Sequence, residues 1–295
     1  MIKPPRPIDH LVLPTANLAA ARTRLSALGF AVAPAGVHPF GTENACVYLA
    51  DGTFLEPLAV RDRAAADEAI AGGNVFVARD RMFRQANGDE GFSAVVFDTD
   101  DAATDHRDFV KAGVSAGDVL NFSRPFVDAS GKTATACFKL AFAAEPDARD
   151  AFFFTCERLN APNVDRAALQ RHANGASRVS AVVASSGSPE RHAGFLASLA
   201  RSGVVSRADS AFDVDLPNGR LSVLPAASLA REFGVEGSAG GNGLRLAVLL
   251  FGVNDLAATG TLLRSNSIEF STVGGRLIVR QAPGQGAAFA FEENS

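Results

Sequence analysis

Cysteine is scarce in this chain, with three residues in 295: Cys46, Cys137 and Cys156. Their number is odd, each lies in a strand-like apolar run, and none has the paired spacing of a zinc site. A disulfide scaffold and a zinc ribbon are therefore excluded, and buried thiols in a reducing compartment are expected. An excess of basic charge is missing too. With 28 Lys and Arg against 32 Asp and Glu, and no basic run, nothing provides an electrostatic footprint for nucleic acid. No apolar stretch reaches the ~18 residues of a membrane span. The opening MIKPPRPIDH lacks the apolar core of a signal peptide. A soluble cytoplasmic protein is the expectation, without a nucleic-acid or membrane partner. The G-x-x-x-x-G-K phosphate loop and H-E-x-x-H are absent, and the Gly-rich SAGGNG lacks dinucleotide-fingerprint spacing.

What is present is length and apolar content. At 295 residues and 47% apolar, the chain can fill two cores. Its first 60 residues show how. Ile8, Leu11, Val12 and Leu13 form a strand that stops at Pro14, which has no N–H to extend a ladder. Asn17 can cap a helix whose apolar positions Leu18, Ala21, Leu25 and Leu28 recur at three- and four-residue spacing, and Gly29 can end it in a left-handed conformation. Strands are expected at 30–34, 44–49 and 54–58, the last two joined by Asp51-Gly52, a pair suited to a tight hairpin turn. The unit over 7–60 is βαβββ.

The same unit recurs. Gly29 follows His10 by 19 residues, and Gly113 follows Ala94 by the same 19, so FSAVVF and the helix after it superpose on the chain's opening without a gap. Strands at 119–122, 133–143 and 152–156 complete a second unit over 91–159. A third unit, 178–226, opens with VSAVVAS and a Ser188-Pro189-Glu190 helix start closed by Gly203; a fourth, 244–292, opens with LRLAVLLF, with Asn266 replacing the capping glycine. Residues 61–90 begin as an Ala-rich helical connector, and 160–177 read as a linker. Two domains follow, 1–160 and 161–295.

Repeated βαβββ units with a histidine in the first strand and a carboxylate in the fourth resemble the vicinal oxygen chelate superfamily, which includes glyoxalase I, extradiol dioxygenases and bleomycin-resistance proteins. More narrowly, IDHLVLPTANLAAA, HPFGTENACVYL, FLEPLAV, NFSRPF, FFFTCE and QRHANGA resemble the glyoxalase-like domain branch. The resemblance implies an α+β fold of four βαβββ modules in two domains. It also implies a cleft whose divalent metal, Mn, Fe, Ni or Zn where there is one, is held from the first and fourth strands of both modules. His10 and Glu56 stand at those positions in the first module. In the second, Ala94 stands opposite His10, and FFFTCERL offers Glu157. The implied metal set is His10, Glu56 and Glu157, with Glu56 and Glu157 as catalytic carboxylates. In the second domain Ala181 and Ala247 occupy the histidine positions and Glu292 is the one carboxylate in a fourth-strand place, so no metal site is expected there.

Other residues divide between plain and functional readings. Glu56 lies between Leu55 and Pro57, where an unpartnered carboxylate would cost several kcal/mol, so it needs a metal, a cation or a hydrogen-bond network. His10 beside Asp9 is either a hydrogen-bonded core histidine or a cleft residue. His38 and Asn44, in GVHPFGTEN, and Arg124 and Phe126, in NFSRPF, are the substrate-binding set; the alternatives for His38 and Arg124 are an exposed turn and a surface position. Phe122, Phe126, Phe152, Phe153 and Phe154 are expected mostly in the core, with some lining the cleft. His106 and His192 are expected to face solvent, and His172 to hold a turn. Two function classes stay open: a metal-dependent lyase, isomerase or dioxygenase acting on a small molecule with adjacent oxygens, and a metal-free small-molecule binding or sequestering protein of the bleomycin-resistance type. A homodimer is open in either case.

Overall fold

The computed structural model describes residues 3–127, 133–145, 150–160, 166–237 and 242–294, apart from the side chains of residues 126, 127 and 133. Strand β1 (Ile8–Pro14) is buried along its whole length, with helices against one face and a hollow on the other. Asn17 caps α1 (Leu18–Ala27) by accepting a hydrogen bond from the Ala20 N–H, and Gly29 closes it at φ 88°. Four strands follow: β2 (Gly36–Val37), β3 (Thr42–Asn44), β4 (Val47–Tyr48) and β5 (Phe54–Val60). The strand expected at 30–34 does not form. Pro34 has no N–H to give; Ala33 N–H reaches Cys46 O, while the Ala31 N–H goes to His172 and the Val32 and Ala33 carbonyls are taken by the Arg22 side chain, so no ladder builds. The strand expected at 44–49 is split into β3 and β4, which pair separately with β5.

The connector holds two helices, α2 (Arg63–Ala71) and α3 (Val75–Asn87). The second module then repeats the first: β6 (Ala94–Asp98), α4 (Ala102–Lys111), β7 (Leu120–Val127), β8 (Thr133–Ala143) and β9 (Phe152–Asn160). Gly113 closes α4 at φ 70°, as Gly29 closes α1. The nine strands form one sheet in the order β2-β3-β5-β1-β6-β9-β8-β7, with β4 also on β5. At its centre β1 and β6 run antiparallel, each with a parallel partner, β5 or β9, on its outer side.

A second sheet is built the same way from β10 (Ala176–Ser185), β11 (Val204–Ser206), β12 (Phe212–Leu216), β13 (Gly219–Leu224), β14 (Arg245–Val253), β15 (Ser271–Val273), β16 (Arg276–Val279) and β17 (Ala288–Glu293). Its order is β11-β12-β13-β10-β14-β17-β16-β15. The helices are α5 (Ala193–Ala200), preceded by a 3-10 turn over Pro189–His192, then α6 (Ala226–Phe233) and α7 (Leu256–Ser265). Arg201, at φ 54°, ends α5 instead of Gly203; after α7 the left-handed residue is Ser267, one beyond Asn266. The four βαβββ modules give the α+β architecture expected.

The largest buried cluster joins both sheets. Leu25 of α1 and Leu28 just after it, Phe109 of α4, Leu196 and Leu199 of α5 and Leu263 of α7 pack with Leu11, Val95, Val182 and Leu249 of the central strands. Phe30 alone touches the rings of Phe251, Phe289 and Phe291 at centroid distances of 5.2, 6.0 and 6.3 Å. Each such buried ring contributes about 1.5–3 kcal/mol by removal from water. The approach is tight enough to demand glycine at 286, where φ is 81° and a Cβ would stand 2.6 Å from Gly91 O. On its other face the first sheet is covered in part by α3, through Phe76, Val77 and Phe83, and the second by α6, through Leu229 and Phe233. Among the described residues no helix is long and apolar enough to cross a membrane.

Candidate functional site

Alternation along the strands decides which side chains reach the hollow of the first sheet. On β5 Phe54, Glu56 and Leu58 face it; on β9 Phe152, Phe154, Cys156 and Arg158 do. His10 comes from β1, Asn44 from β3, Phe122 and Arg124 from β7, and Phe138 from β8. His38 and Phe40 come from the turn before β3. The hollow has a cavity volume of about 50 Å³.

His10 and Glu56, 46 positions apart in sequence, meet here. His10 Nε2 is 3.4 Å from Glu56 Oε2, and the imidazole stacks on Phe54 at 4.5 Å. The pairing of β1 with β6 shifts register between Ile8 and His10, a bulge that lets Asp9 lie beside its neighbour instead of opposite it. Asp9 Oδ2 is 2.5 Å from His10 Nδ1. Arg158 then closes on Asp9, with Nη1 2.5 Å from Oδ1 and Nη2 2.8 Å from Oδ2. The result is a buried row of alternating charge: Arg158, Asp9, His10, Glu56.

The row sets its own protonation. Burial alone would keep His10 neutral, but hydrogen bonds and charge from Asp9 and Glu56 outweigh it and raise the imidazole above its ordinary value. Burial would likewise raise Glu56, yet the His10 hydrogen bond, the charges of His10 and His38, and the Asn44 amide bring its carboxyl down to about 2. Asp9 is lowered against the same burial by His10 first and Arg158 second. His38 goes the other way: burial, with the charges of Arg124 and His10, lowers it to about 4 despite Glu56. Its hydrogen bonds fit a neutral ring. The Asn44 amide donates to Glu56 Oε1 at 2.6 Å and lies 3.4 Å from His38 Nε2, which leaves Nδ1 to carry the proton toward Thr42 Oγ1 at 2.9 Å. His38 Nε2 is 3.7 Å from Glu56 Oε1.

Of the residues singled out in the sequence, His10, His38, Asn44, Glu56 and Arg124 are brought together. Glu157 is not: it points to the opposite face of β9, accepts the Ala102 N–H at the start of α4 at 3.0 Å and lies 3.8 Å from Lys139. Its expected metal and catalytic roles have no geometric basis in this cleft. Phe126 belongs to β7, but its side chain lies outside the described residues. His192 is buried, not solvent-facing, and His172 accepts the Ala31 N–H at 3.0 Å and sits 3.0 Å from Tyr48 O. Cys46 and Cys156 are buried free thiols, both raised by burial, Cys46 to about 12; Cys137 is half-buried. Asp9 is the hydrogen-bond partner of His10 that its place in the sequence suggested; Arg158 was missed as a cleft residue, although the alternation Phe152, Phe154, Cys156, Arg158 in FFFTCERL places the arginine on the cleft face.

Strand register also fixes the mirror of Glu56. Val12 pairs with Glu56 on β5, and its counterpart Val96 pairs with Phe154 on β9. The four positions where two-module metal sites draw their ligands are thus His10, Glu56, Ala94 and Phe154. Alanine and phenylalanine donate nothing, and the two remaining donors are engaged with each other and with Asp9 and Asn44. Among the described residues no group of three or more His, Cys, Asp or Glu is arranged to hold a metal. The donor set does not fit a divalent ion.

Paired βαβββ modules around such a hollow define the vicinal oxygen chelate class. The chain belongs to the glyoxalase-like domain family, whose sequence profile matches residues 8–200. No curated protein sequence matches it. Among solved structures it is similar to a hypothetical protein from Staphylococcus aureus, at 13% identity and TM-score 0.63, over 97% of this chain and 99% of that one. A triple mutant of 4-hydroxymandelate synthase from Streptomyces coelicolor aligns at 13% identity and TM-score 0.62, over 99% and 95% of the two chains. A Mn(II)-bound glyoxalase from Novosphingobium aromaticivorans aligns at 12% identity and TM-score 0.51, over 97% and 81%. Likeness at these identities concerns the fold.

Proposed function

We propose that this protein is a metal-independent small-molecule binding protein whose first-sheet cleft takes a compact, flat apolar molecule carrying one anionic group. The observation that carries this reading is the pair Ala94 and Phe154 at the mirror positions of His10 and Glu56. A chelating pair of substrate oxygens needs an ion with open positions, and half the expected ligand positions here are hydrocarbon.

The lining supports a flat ligand. Phe40, Phe54, Phe76, Phe122, Phe138 and Phe154 surround the polar floor, and aromatic faces and edges favour planar partners. Arg124 supplies the anion contact: its guanidinium forms no ion pair with any described residue and sits 5.9 Å from the Phe138 ring centre. The cavity of about 50 Å³ is well below the roughly 300–1,000 Å³ of ordinary small-molecule sites. Bulky conjugates are disfavoured, and even a benzene-sized ligand must part the Phe122–Phe138 stack, whose centroids are 5.0 Å apart.

The test combines metal content and ligand binding. Protein purified without chelator is measured for Mn, Fe, Ni and Zn by elemental analysis, alongside His10→Ala, and both are titrated with benzoate. Substoichiometric metal in both, with benzoate binding that weakens in Arg124→Gln, is expected. One metal per chain in the wild type, lost in His10→Ala, would return the metal-dependent enzyme reading and end this one.

A further inference from the structure

We infer that the pocket between the two sheets, at one end of β10 and β14, is a second ligand site that takes an aliphatic carboxylate. Its cavity volume of about 280 Å³ exceeds that of the first cleft. Phe83 and Phe92 line it from the first sheet's side, and Leu246, Ser185, Arg245 and Arg280 from the second. Ala247 and Ala288 present only methyl groups there, which leaves the space open.

Several polar side chains of the lining have no protein partner. The side chains of Arg245 and Arg280, both exposed, form neither an ion pair nor a hydrogen bond with any described residue. Ser185 is 3% exposed, and its Oγ has no hydrogen-bond partner among the described residues, an arrangement that costs stability unless something else requires it. Two carboxylates border the same space. Glu90 is committed: its Oε1 accepts from Ala16 N at 2.8 Å and Thr15 Oγ1 at 3.1 Å, and its Oε2 from Gly284 N at 2.9 Å. Glu236 is exposed on the rim. Two free guanidinium groups against one free carboxylate leave a single positive charge to be matched, which selects a monoanion. Planar guanidinium forks suit a carboxylate, and the phenylalanine and leucine walls suit an alkyl chain.

The test is calorimetric titration of the full-length protein with octanoate and with its neutral counterpart octanamide. Octanoate is expected to bind and octanamide to bind at least about tenfold more weakly, because a charge-assisted hydrogen bond is worth about that factor. Arg245→Gln and Arg280→Gln should each weaken octanoate about tenfold. Ser185→Ala should raise the ligand-free melting temperature, by removing a stranded hydroxyl, while weakening octanoate. Equal binding of acid and amide, or no binding of octanoate, overturns the proposal. So does binding that survives both arginine substitutions but is lost in Arg124→Gln, which would put octanoate in the first cleft.

Discussion

Arg158 grips Asp9 through both terminal nitrogens, at 2.5 and 2.8 Å, and so ties the fourth strand of the second module to the first strand of the first. After the hydrogen bond and charge of His10, this pair is the second contribution that keeps Asp9 ionised at 6% exposure. Replacing Arg158 by Met leaves that carboxylate with His10 alone to compensate it, and a stability loss of about 2–4 kcal/mol is expected, below the full figure for a buried pair because the guanidinium is partly exposed and His10 remains. Asp9→Asn in the same background should recover part of it. Urea denaturation of the two single variants and the double variant measures the coupling; strictly additive losses would mean that the two side chains do not depend on each other.

His38 makes the protein acid-sensitive. Folded, the ring is held to about 4; unfolded, it returns to its ordinary 6.5. Protons therefore bind the unfolded chain first, so the stability associated with His38 is complete above 6.5 and is lost as pH falls from 6.5 toward 4, by at most about 3 kcal/mol. Glu56 acts in the same direction lower down, between its ordinary 4.5 and about 2. His10, with its raised value, works oppositely: its contribution is present below 6.5 and fades as pH rises through its folded value. Denaturation curves at about pH 7 and about pH 4.5 should differ in the wild type and differ less in His38→Phe. An unchanged difference in that variant would assign the acid sensitivity elsewhere.

Much of this was legible in the sequence, because βαβββ periodicity and the shared 19-residue interval depend on local patterns that burial reinforces. The opening strand, expected at 8–13 and observed as Ile8–Pro14, the Asn17 cap and the glycine stops at Gly29 and Gly113 all form as the residues dictate. His10 and Glu56 were found because a polar residue in an apolar strand stands out. Glu157 misled for a physical reason: strand register places the mirror of Glu56 at Phe154, three residues earlier, and because side chains on a strand alternate an odd offset turns the side chain to the opposite face. The bulge at Asp9 has no local signal, since it arises from pairing with β6, and the pocket between the sheets depends on tertiary packing alone.

His192 shows the same dependence on packing and gives a third prediction. Its Nδ1 is 2.5 Å from Glu145 Oε2, which follows β8 of the first sheet, and its Nε2 is 2.9 Å from Ser186 Oγ and 3.0 Å from Asn242 O. One buried ring thus fastens the first sheet to the second. Glu145→Gln, which keeps shape but removes charge, should cost about 1–3 kcal/mol, and His192→Phe should cost at least as much by stranding Glu145. Limited proteolysis under native conditions would register the loosening as faster cleavage in both variants. Cleavage at the wild-type rate in both would show that the two sheets are held by their shared apolar core alone.

The hydrocarbon half of the cleft can be converted. If Ala94 and Phe154 are what prevents ion binding, then Ala94→His with Phe154→Glu places an imidazole and a carboxylate opposite His10 and Glu56. The Phe154 ring is 3% exposed and packs on His10, Phe76 and Phe142. Its loss alone should therefore cost about 3–5 kcal/mol, and the double variant will be less stable without metal. With metal the order should reverse: a ligand that binds only the folded state raises stability as its concentration rises above its dissociation constant. Thermal denaturation with and without added zinc or manganese reads this directly, with a large rise expected in the double variant and little or none in the wild type. An equal rise in the wild type would mean that His10 and Glu56 already hold an ion, against the strand register argued above.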